Sequence, residues 1–256
     1  MPSFANIRVI AALMLREMTT RYGRSPGGYI WAVVEPIGFI FVLTLVFSTV
    51  VRTPPLGTNF PLFFATGYLT FQFYMEISSF ASSAIIMNRP LLTYPRVTPI
   101  DAIISRVVLQ FVTLCVVSIL LLSGIIIYYD IHTIFDFVAM IKAVLLATLF
   151  GTGVGVANTV IFAYVPAYEN VFKIISRPMF LISGVFFVYE DLPNAAQDLL
   201  WFNPVVHAVG LFRAGFYPTY EPAYVSELYI GGAGAFFLVT GLFFLSKNKT
   251  AILELR

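Results

Sequence analysis

Apolar residues form six long stretches along the chain, with short polar segments between them. The stretches cover residues 28–51, 61–87, 102–129, 137–165, 172–189 and 228–245. A helix rises about 1.5 Å per residue and the hydrocarbon layer of a bilayer is about 30 Å thick, so about 20 apolar residues make a span. Four stretches meet that length comfortably, the sixth is close and the fifth is marginal. The pattern predicts an all-α membrane protein with six transmembrane helices.

The basic residues are distributed unequally over the segments that connect these stretches. With the N-terminus in the cytoplasm, all but three of the fifteen Lys and Arg residues lie toward the inner side. The exceptions are Arg52, Lys142 and Arg213. Loops that stay in the cytoplasm carry an excess of Lys and Arg. We therefore expect a multi-pass protein with both termini in the cytoplasm, which an even number of spans requires.

Composition narrows the possible functions. The chain is 59% hydrophobic and 11% charged, against about 45–50% and about 25% in soluble domains. With one cysteine and two histidines, a zinc cluster of Cys and His is excluded. No glycine precedes a lysine, which excludes a Walker-type phosphate loop. We expect no metal, no cofactor and no catalytic residue in this chain, and energy for uphill transport from a partner or an ion gradient.

The N-terminal residues predict a surface helix. Residues 4–21 place apolar side chains such as Ile7 and Met18 on one face, which is typical of an amphipathic helix in the headgroup layer. This helix is either a membrane anchor or a gate helix that meets a cytoplasmic partner or an anionic lipid-linked substrate. Pro26 and Gly27 then break it and turn the chain into the first span.

The inner loop 88–101 carries three prolines and two arginines, which makes it stiff for a linker between spans. Its first residues can form one helical turn that presents Leu91 and Leu92 before Pro95 ends it. The loop is either an ordinary basic loop or a docking element that transmits force from a soluble partner. The candidate docking residues are Asn88, Arg89, Pro90, Leu91, Leu92, Tyr94, Pro95 and Arg96.

The segment 190–223 lies outside in this topology, yet it is rich in apolar residues. Pro193 and Pro204 divide it into two possible helices of about nine and about thirteen residues, which are too short to cross a membrane. We therefore expect a re-entrant helical hairpin between spans five and six that lines or plugs a pathway. His207 within it is expected to hydrogen-bond nearby backbone.

Two spans carry glycines at helical spacing. Gly151 and Gly155 lie four residues apart in the fourth span, and residues 231–235 begin the sixth with several more. Small residues at this spacing let two helix backbones approach closely. The glycines therefore predict tight helix packing.

Three motifs together resemble a known family. The core P-x-G-Y-x-W-A-x-x-E-P opens the first span within residues 24–36, and the loop N-R-P-L-L-T-Y-P-R-V-x-P-x-D covers residues 88–101. Residues 177–213 contain R-P-x-x-x-x-S-G-V-F, E-D-L-P and N-P-x-x-H in this order. The motifs resemble ABC-2 type permeases that export capsular polysaccharide in Gram-negative bacteria, of the polysialic acid or group 2 capsule type. The departure is Gly27, where a larger apolar residue is expected.

The resemblance implies a homodimer whose subunits each dock on a separate cytoplasmic ATPase subunit, which binds ATP and Mg. It also implies an inner-membrane location, membrane lipids around the chain, an inner-membrane polysaccharide co-polymerase and an outer-membrane exporter. The implied substrate is a lipid-linked acidic polysaccharide that moves from cytoplasm to periplasm, on a phosphatidylglycerol anchor with a short Kdo linker. No nucleic-acid partner is expected, and the chain is not an enzyme by itself.

The same resemblance makes residues 1–256 a single ABC-2 transmembrane domain. Its parts are a cytoplasmic interface helix (1–27), spans one to five (28–189), the external re-entrant segment (190–223), and span six with a cytoplasmic tail (224–256).

A polysaccharide needs a polar path bordered by aromatic side chains, because these combine an apolar face with a polar handle. Ionisable residues inside spans usually face protein or water. The predicted path residues are Glu35, Tyr68, Phe71, Gln72, Phe73, Tyr74, Glu76, Trp201, Asn203 and His207. Arg21, Arg24 and Arg106 are predicted to concentrate the anionic substrate at the entrance. The positive-inside rule alone also explains arginines on the cytoplasmic side. Most aromatic residues outside the predicted path are expected to face lipid.

Other functions stay open at this point. Alternative cargoes are an O-antigen, a teichoic-acid-like polymer or a small lipophilic drug. A gradient-driven transporter would normally have inverted repeats and broken midplane helices, and neither is visible. A membrane-embedded glycan-modifying enzyme would need convergent polar groups, whereas Glu35 and Glu76 are isolated in the sequence.

Overall fold

A computed structural model of the chain describes residues 3–22, 28–94, 96–248 and 252. The described residues form helices and connecting segments, with no β-strand among them. The helices are α1 (Ser3–Tyr22), α2 (Gly28–Val50), α3 (Phe60–Ser82), α4 (Ala84–Asn88), α5 (Pro99–Tyr128), α6 (Phe137–Tyr164), α7 (Pro166–Leu181), a 3-10 turn (Tyr189–Asp191), α8 (Asn194–Leu200), α9 (Pro204–Phe216) and α10 (Glu227–Lys247). The predicted all-α class is confirmed.

Four of the helices in the described part of the chain are long and apolar enough to cross a membrane, namely α2, α5, α6 and α10. α3 is as long as α2, with 23 residues each. Its Thr, Gln, Glu and Ser side chains make it less apolar, and neighbouring helices bury most of its residues. α7 has 16 residues. By length and composition, the structure therefore bears out four of the six predicted spans.

The fifth apolar stretch does not form one helix over residues 172–189. α7 begins earlier, at Pro166, and ends at Leu181. Pro178 lies in its last turn and lacks a backbone N–H donor. Gly184 then takes a left-handed conformation, with φ of 80°, which a glycine adopts without steric cost. The residues between Leu181 and the 3-10 turn are not helical.

The long helices run alternately between two ends of the molecule. At the α1 end, Glu17 of α1 pairs with Arg106 near the start of α5, and an apolar cluster joins α4 to the last turns of α6 and α10. At the α9 end, Lys142 pairs with Glu227 at 3.0 Å and joins the starts of α6 and α10. α6 and α10 run between these two ends. So does α3, whose Phe63 lies beside Arg213 of α9 and whose Phe80 lies beside Arg106 of α5.

Arg213 fixes the structure at the α9 end. Its side chain belongs to α9 and is only 2% exposed. Nη1 donates to the Phe187 carbonyl at 2.8 Å, and Nη2 donates to the Val185 carbonyl at 3.1 Å. The guanidinium lies 4.0 Å from the centre of the Phe63 ring. One side chain thereby joins α9, the segment after α7 and the first turn of α3.

α6 packs closely against α3 through its glycines. A Cβ atom on Gly151 would lie 2.6 Å from the Tyr74 carbonyl oxygen, and one on Gly155 would lie 2.6 Å from the Ser78 carbonyl oxygen. On α10, a Cβ atom on Gly241 would lie 2.7 Å from the Ala157 nitrogen of α6. The neighbouring atoms are backbone, which cannot move aside cheaply. The predicted close packing is confirmed.

We expect Gly155→Ala to lower the free energy of unfolding by about 1–3 kcal/mol, because the added methyl group overpacks the contact with α3. Gly124→Ala in α5 is the matched control, since its Cβ would meet nothing within 4 Å. The midpoint of thermal unfolding of both variants in detergent measures the effect. Equal midpoints for the two variants would contradict the proposed tight contact.

Candidate functional site

A polar stripe runs along one face of α3. Tyr68, Gln72 and Glu76 are four residues apart and therefore share a helix face. Gln72 Nε2 donates to the Tyr68 hydroxyl at 2.9 Å, and Gln110 Nε2 of α5 lies 3.5 Å from Glu76 Oε2. Glu35 of α2 lies one helical turn before Phe39, whose ring stacks on Tyr68. The structure thus brings four of the predicted path residues together between α2, α3 and α5.

Aromatic rings border this stripe on the side of α2 and α7. Phe39 of α2 stacks on Tyr68 with 4.6 Å between ring centres. Phe180 of α7 meets Tyr68 at 6.2 Å and Phe71 at 5.2 Å, and Phe186 lies 5.0 Å from Phe180. Phe39, Phe180 and Phe186 were missed by the sequence argument, because no periodicity links them and only the fold brings them to α3.

Phe73 and Tyr74 lie on other faces of α3 than the stripe. Phe73 packs against Phe111 of α5 at 5.9 Å, and Tyr74 stacks on Phe150 of α6 at 5.1 Å. Both side chains are buried. Successive helix residues turn by about 100°, so the neighbours of Gln72 point into the protein core. Their assignment to a path stays a prediction, and their contacts are those of core residues.

The structure places Trp201, Asn203 and His207 at the α9 end, away from the stripe. Asn203 caps α9, because its Oδ1 accepts from the Val205 N–H at 3.0 Å. Its Nδ2 donates to the Ile182 carbonyl at 3.1 Å. Asn203 therefore ties the start of α9 to the end of α7.

His207 makes the backbone hydrogen bonds that the sequence suggested. Its Nε2 lies 2.8 Å from the Trp201 carbonyl, and its Nδ1 accepts from the Ser226 N–H at 3.1 Å. The ring therefore carries its proton on Nε2. Beside it, burial raises the pKa of Tyr224, whose protonated hydroxyl donates to the Val206 carbonyl at 3.3 Å. These contacts hold the chain around α9 in one conformation.

The predicted docking loop begins with a hydrogen-bonded turn after α4. The N–H groups of Leu91 and Leu92 donate to the Asn88 carbonyl at 2.9 and 3.1 Å, which confirms the predicted turn. Leu92 packs partly against an apolar cluster, whereas Leu91 is half-buried. Arg89, Pro90, Tyr94 and Arg96 are exposed, and Pro95 lies outside the described residues.

Thr98 and Asp101 end this loop and begin α5. The Asp101 N–H donates to Thr98 Oγ1 at 3.2 Å, while the Thr98 N–H donates to Asp101 Oδ2 at 3.0 Å. Such a reciprocal capping box fixes the direction in which a helix starts. The loop after α4 is therefore held at both of its ends.

The predicted entrance is described only in part. Arg24 and the side chain of Arg21 lie outside the described residues. Arg106 is buried, and its Nε lies 3.4 Å from Glu17 Oε1. Its Nη1 donates to the Ser83 carbonyl at 3.0 Å. Arg106 is therefore not an exposed entrance residue, because α1 covers it.

A comparison with known protein families identifies the family of this chain. A family model described as ABC-2 type transporter matches residues 8–217. The chain belongs to the ABC-2 type transporter family. The matched region of this ABC-2 chain includes the stripe on α3, the loop after α4 and the segment around α9. The resemblance carried by the three sequence motifs is thus confirmed at the level of the family.

Individual relatives cover nearly the same length. The chain is 30% identical to the polysialic acid transport protein KpsM of Escherichia coli, over 95% of both chains. It is 30% identical to the capsule polysaccharide export inner-membrane protein CtrC of Neisseria meningitidis serogroup B, over 96% of this chain and 92% of CtrC. It is 31% identical to BexB of Haemophilus influenzae, also named a capsule polysaccharide export inner-membrane protein, over 82% of this chain and 79% of BexB.

We expect Asn203→Ala to lower the free energy of unfolding by about 1–2 kcal/mol, because α9 loses its N-cap and the Ile182 carbonyl loses a donor. Asn194→Ala is the control, since Asn194 is exposed at the start of α8. Thermal unfolding of the purified variants measures the effect. Unchanged stability of Asn203→Ala together with lost transport would instead favour a direct role of Asn203 in the path.

Proposed function

We propose that this chain is the transmembrane permease subunit of an ATP-driven exporter that moves lipid-linked capsular polysaccharide from the cytoplasm to the periplasm. The observation that carries the proposal is the similarity, over almost the whole chain, to relatives named as capsule polysaccharide export proteins. The polar stripe with its aromatic border fits a carbohydrate. An O-antigen export permease of Klebsiella pneumoniae is only 20% identical, so O-antigen is the second candidate cargo.

The proposed topology has six passages through the inner membrane, with both termini in the cytoplasm. The alternation of the long helices between the α1 end and the α9 end supports it. α7 and the segment after it form the fifth passage. Its helix has only 16 residues, and the segment that follows is buried against α3 near the α9 end. α8 and α9 have 7 and 13 residues, which suits a re-entrant hairpin that does not cross the membrane.

A homodimer would complete the stripe. α2 exposes apolar side chains such as Trp31 and Phe41, and Glu35 is exposed among them. An ionised carboxylate inside a span needs protein or water around it rather than lipid. A second copy of the chain packed on the faces of α2 and α7 would supply that environment. The path then lies between the two copies, with Tyr68, Gln72 and Glu76 along its wall.

In this arrangement the stripe guides the cargo by weak contacts. Sugar hydroxyl groups exchange hydrogen bonds with Gln72, Glu76 and Glu35, while C–H faces of the rings pack on Phe180. The carboxylates of the wall repel the acidic groups of the polymer. Transport requires binding strong enough for entry yet weak enough for release, and this repulsion keeps the cargo from being held tightly.

The energy for this movement would come from a separate cytoplasmic ATPase subunit, which binds ATP and Mg. Its docking surface on the permease is the loop after α4, of which Arg89, Pro90, Tyr94 and Arg96 are exposed. The further proposed partners are an inner-membrane co-polymerase and an outer-membrane exporter. The proposed anchor of the cargo is phosphatidylglycerol with a short Kdo linker.

We expect Leu91→Asp to abolish co-purification with the ABC ATPase encoded beside the permease, because a charge is placed in the proposed apolar contact. Ile134→Asp is the control, since Ile134 is exposed at the α9 end. Affinity purification from membranes and ATP hydrolysis in nanodiscs measure both effects. If the wild-type permease brings down no ATPase at all, the ABC exporter is excluded; if lipid-linked O-antigen stimulates hydrolysis and capsular glycan does not, the second cargo is correct.

A second test addresses the stripe. Gln72→Leu removes the hydrogen bond to Tyr68 and should lower polysaccharide export several-fold without lowering the thermal stability of the permease. Phe73→Leu is the neighbouring control: it should cost about 1 kcal/mol of stability and leave export per folded permease unchanged. Surface capsule, normalised to permease in the membrane, is the measurement. The opposite pattern would move the path to the Phe73 face of α3.

A further inference from the structure

A cavity of about 430 Å³ lies at the α1 end, between α1, the end of α3, α4 and the start of α5. Its lining residues are Arg16, Glu17, Thr20, Phe80, Met87 and Arg106. Two guanidinium groups, a hydroxyl and one carboxylate therefore share a small space. None of the predictions made from the sequence included Arg16 or Glu17 as site residues.

Arg106 is held in place from the side of α3. Its Nη1 donates to the Ser83 carbonyl at 3.0 Å, and its guanidinium lies 4.8 Å from the centre of the Phe80 ring. An ion pair with Glu17 joins Arg106 to α1. The arginine is therefore anchored to the end of α3 and to α5, whereas its carboxylate partner belongs to α1.

The ion pair is buried but geometrically loose. The side chains of Arg106 and Glu17 are 7% and 12% exposed, and their nearest charged atoms are 3.4 Å apart. A well-formed charge-assisted hydrogen bond is shorter, at about 2.7–2.9 Å. Removing one partner of a buried ion pair leaves an uncompensated charge, which is costly, so an anion that displaces Glu17 has to take its place beside Arg106. Glu17 can therefore be displaced by an anion that binds Arg106 with better geometry.

Arg16 adds a second donor group to the same cavity. Its Nη2 donates to Asn88 Oδ1 at 2.8 Å, so it links α1 to the last residue of α4. Its Nε is buried without a hydrogen-bond partner. A phosphate group has enough oxygens to accept from two guanidinium groups at once, and the planar fork of arginine matches it.

We propose that this cavity is a phosphate site that Glu17 closes, in which the phosphate of an anionic lipid headgroup displaces the Glu17 carboxylate from Arg106, pairs with Arg106 and Arg16, and releases α1 from α5. An amphipathic helix such as α1 lies at the depth of lipid headgroups, so a lipid reaches the cavity from the membrane plane. The role of this release in admitting a lipid-linked substrate rests on the proposed function.

The test measures the position of α1 rather than transport. Spin labels on Ala12→Cys and Ile104→Cys, both exposed positions, report the distance between α1 and α5 after Cys115→Ser removes the native thiol. The permease is placed in nanodiscs of phosphatidylcholine, with or without phosphatidylglycerol. We expect phosphatidylglycerol to shift the distance distribution to longer values in the wild-type background.

Variants separate the proposed site from a general effect of charge. Glu17→Gln should give the long distance without phosphatidylglycerol. Glu17→Asp should shift to the long distance at a lower content of phosphatidylglycerol than wild type. Arg106→Gln should abolish the response to phosphatidylglycerol. The exchange Glu17→Arg with Arg106→Glu should restore the short distance and make it insensitive to the lipid. Glu169→Gln breaks an exposed ion pair on α7 and should behave like wild type.

The source of the phosphate is read from further additions. Opening by inorganic phosphate in phosphatidylcholine nanodiscs would support the site and assign it to a soluble anion, whereas opening only by lipid-linked glycan would support it and assign it to the cargo. Distances that change with none of these additions would overturn the proposal, as would a Glu17→Gln variant that stays closed. Opening in a permease that binds no ATPase would leave the phosphate site standing and remove the exporter function.

Discussion

The buried charge of Arg213 is the constraint on which the α9 end depends. Moving a guanidinium out of water costs several kcal/mol unless polar groups replace its hydration. Here the replacement comes from the carbonyl groups of Val185 and Phe187 and from the face of Phe63. The segment after α7 is not helical where it passes Arg213. Its carbonyl groups have no partner in a following helical turn and are available to the guanidinium.

This constraint reaches the stripe on α3. The non-helical segment is held against α3 by Arg213, and it carries Phe186, which lies beside Phe64 and Phe180. Phe180 in turn meets Tyr68. The aromatic border of the stripe is therefore positioned from the α9 end, through packed rings. Asn203 supports the same arrangement, because it bonds the end of α7 to the start of α9.

Much of the fold could be predicted because its causes are local in the chain. Lengths of apolar sequence predict helices, small residues four apart predict the contact of α6 with α3, and proline with polar residues predicts the turn after α4. The partners of buried polar groups could not be predicted this way. Glu17 pairs with Arg106, and Asn203 hydrogen-bonds to the Ile182 carbonyl. The members of each pair are far apart in the sequence, and no repeating pattern of residues relates them. The sequence likewise did not indicate that Phe73, one of the predicted path residues, packs against Phe111 of α5.

The stripe and the exposed loop belong to one uninterrupted length of chain, from Tyr68 in α3 to Tyr94 after α4. α3 is also the helix whose backbone touches α6 at Gly151 and Gly155. If the loop is the docking element, as proposed, a push on it reaches α3 through the short helix α4. Under the proposed function, the surface that meets the ATPase subunit and the wall that contacts the sugar therefore belong to one continuous stretch of this chain.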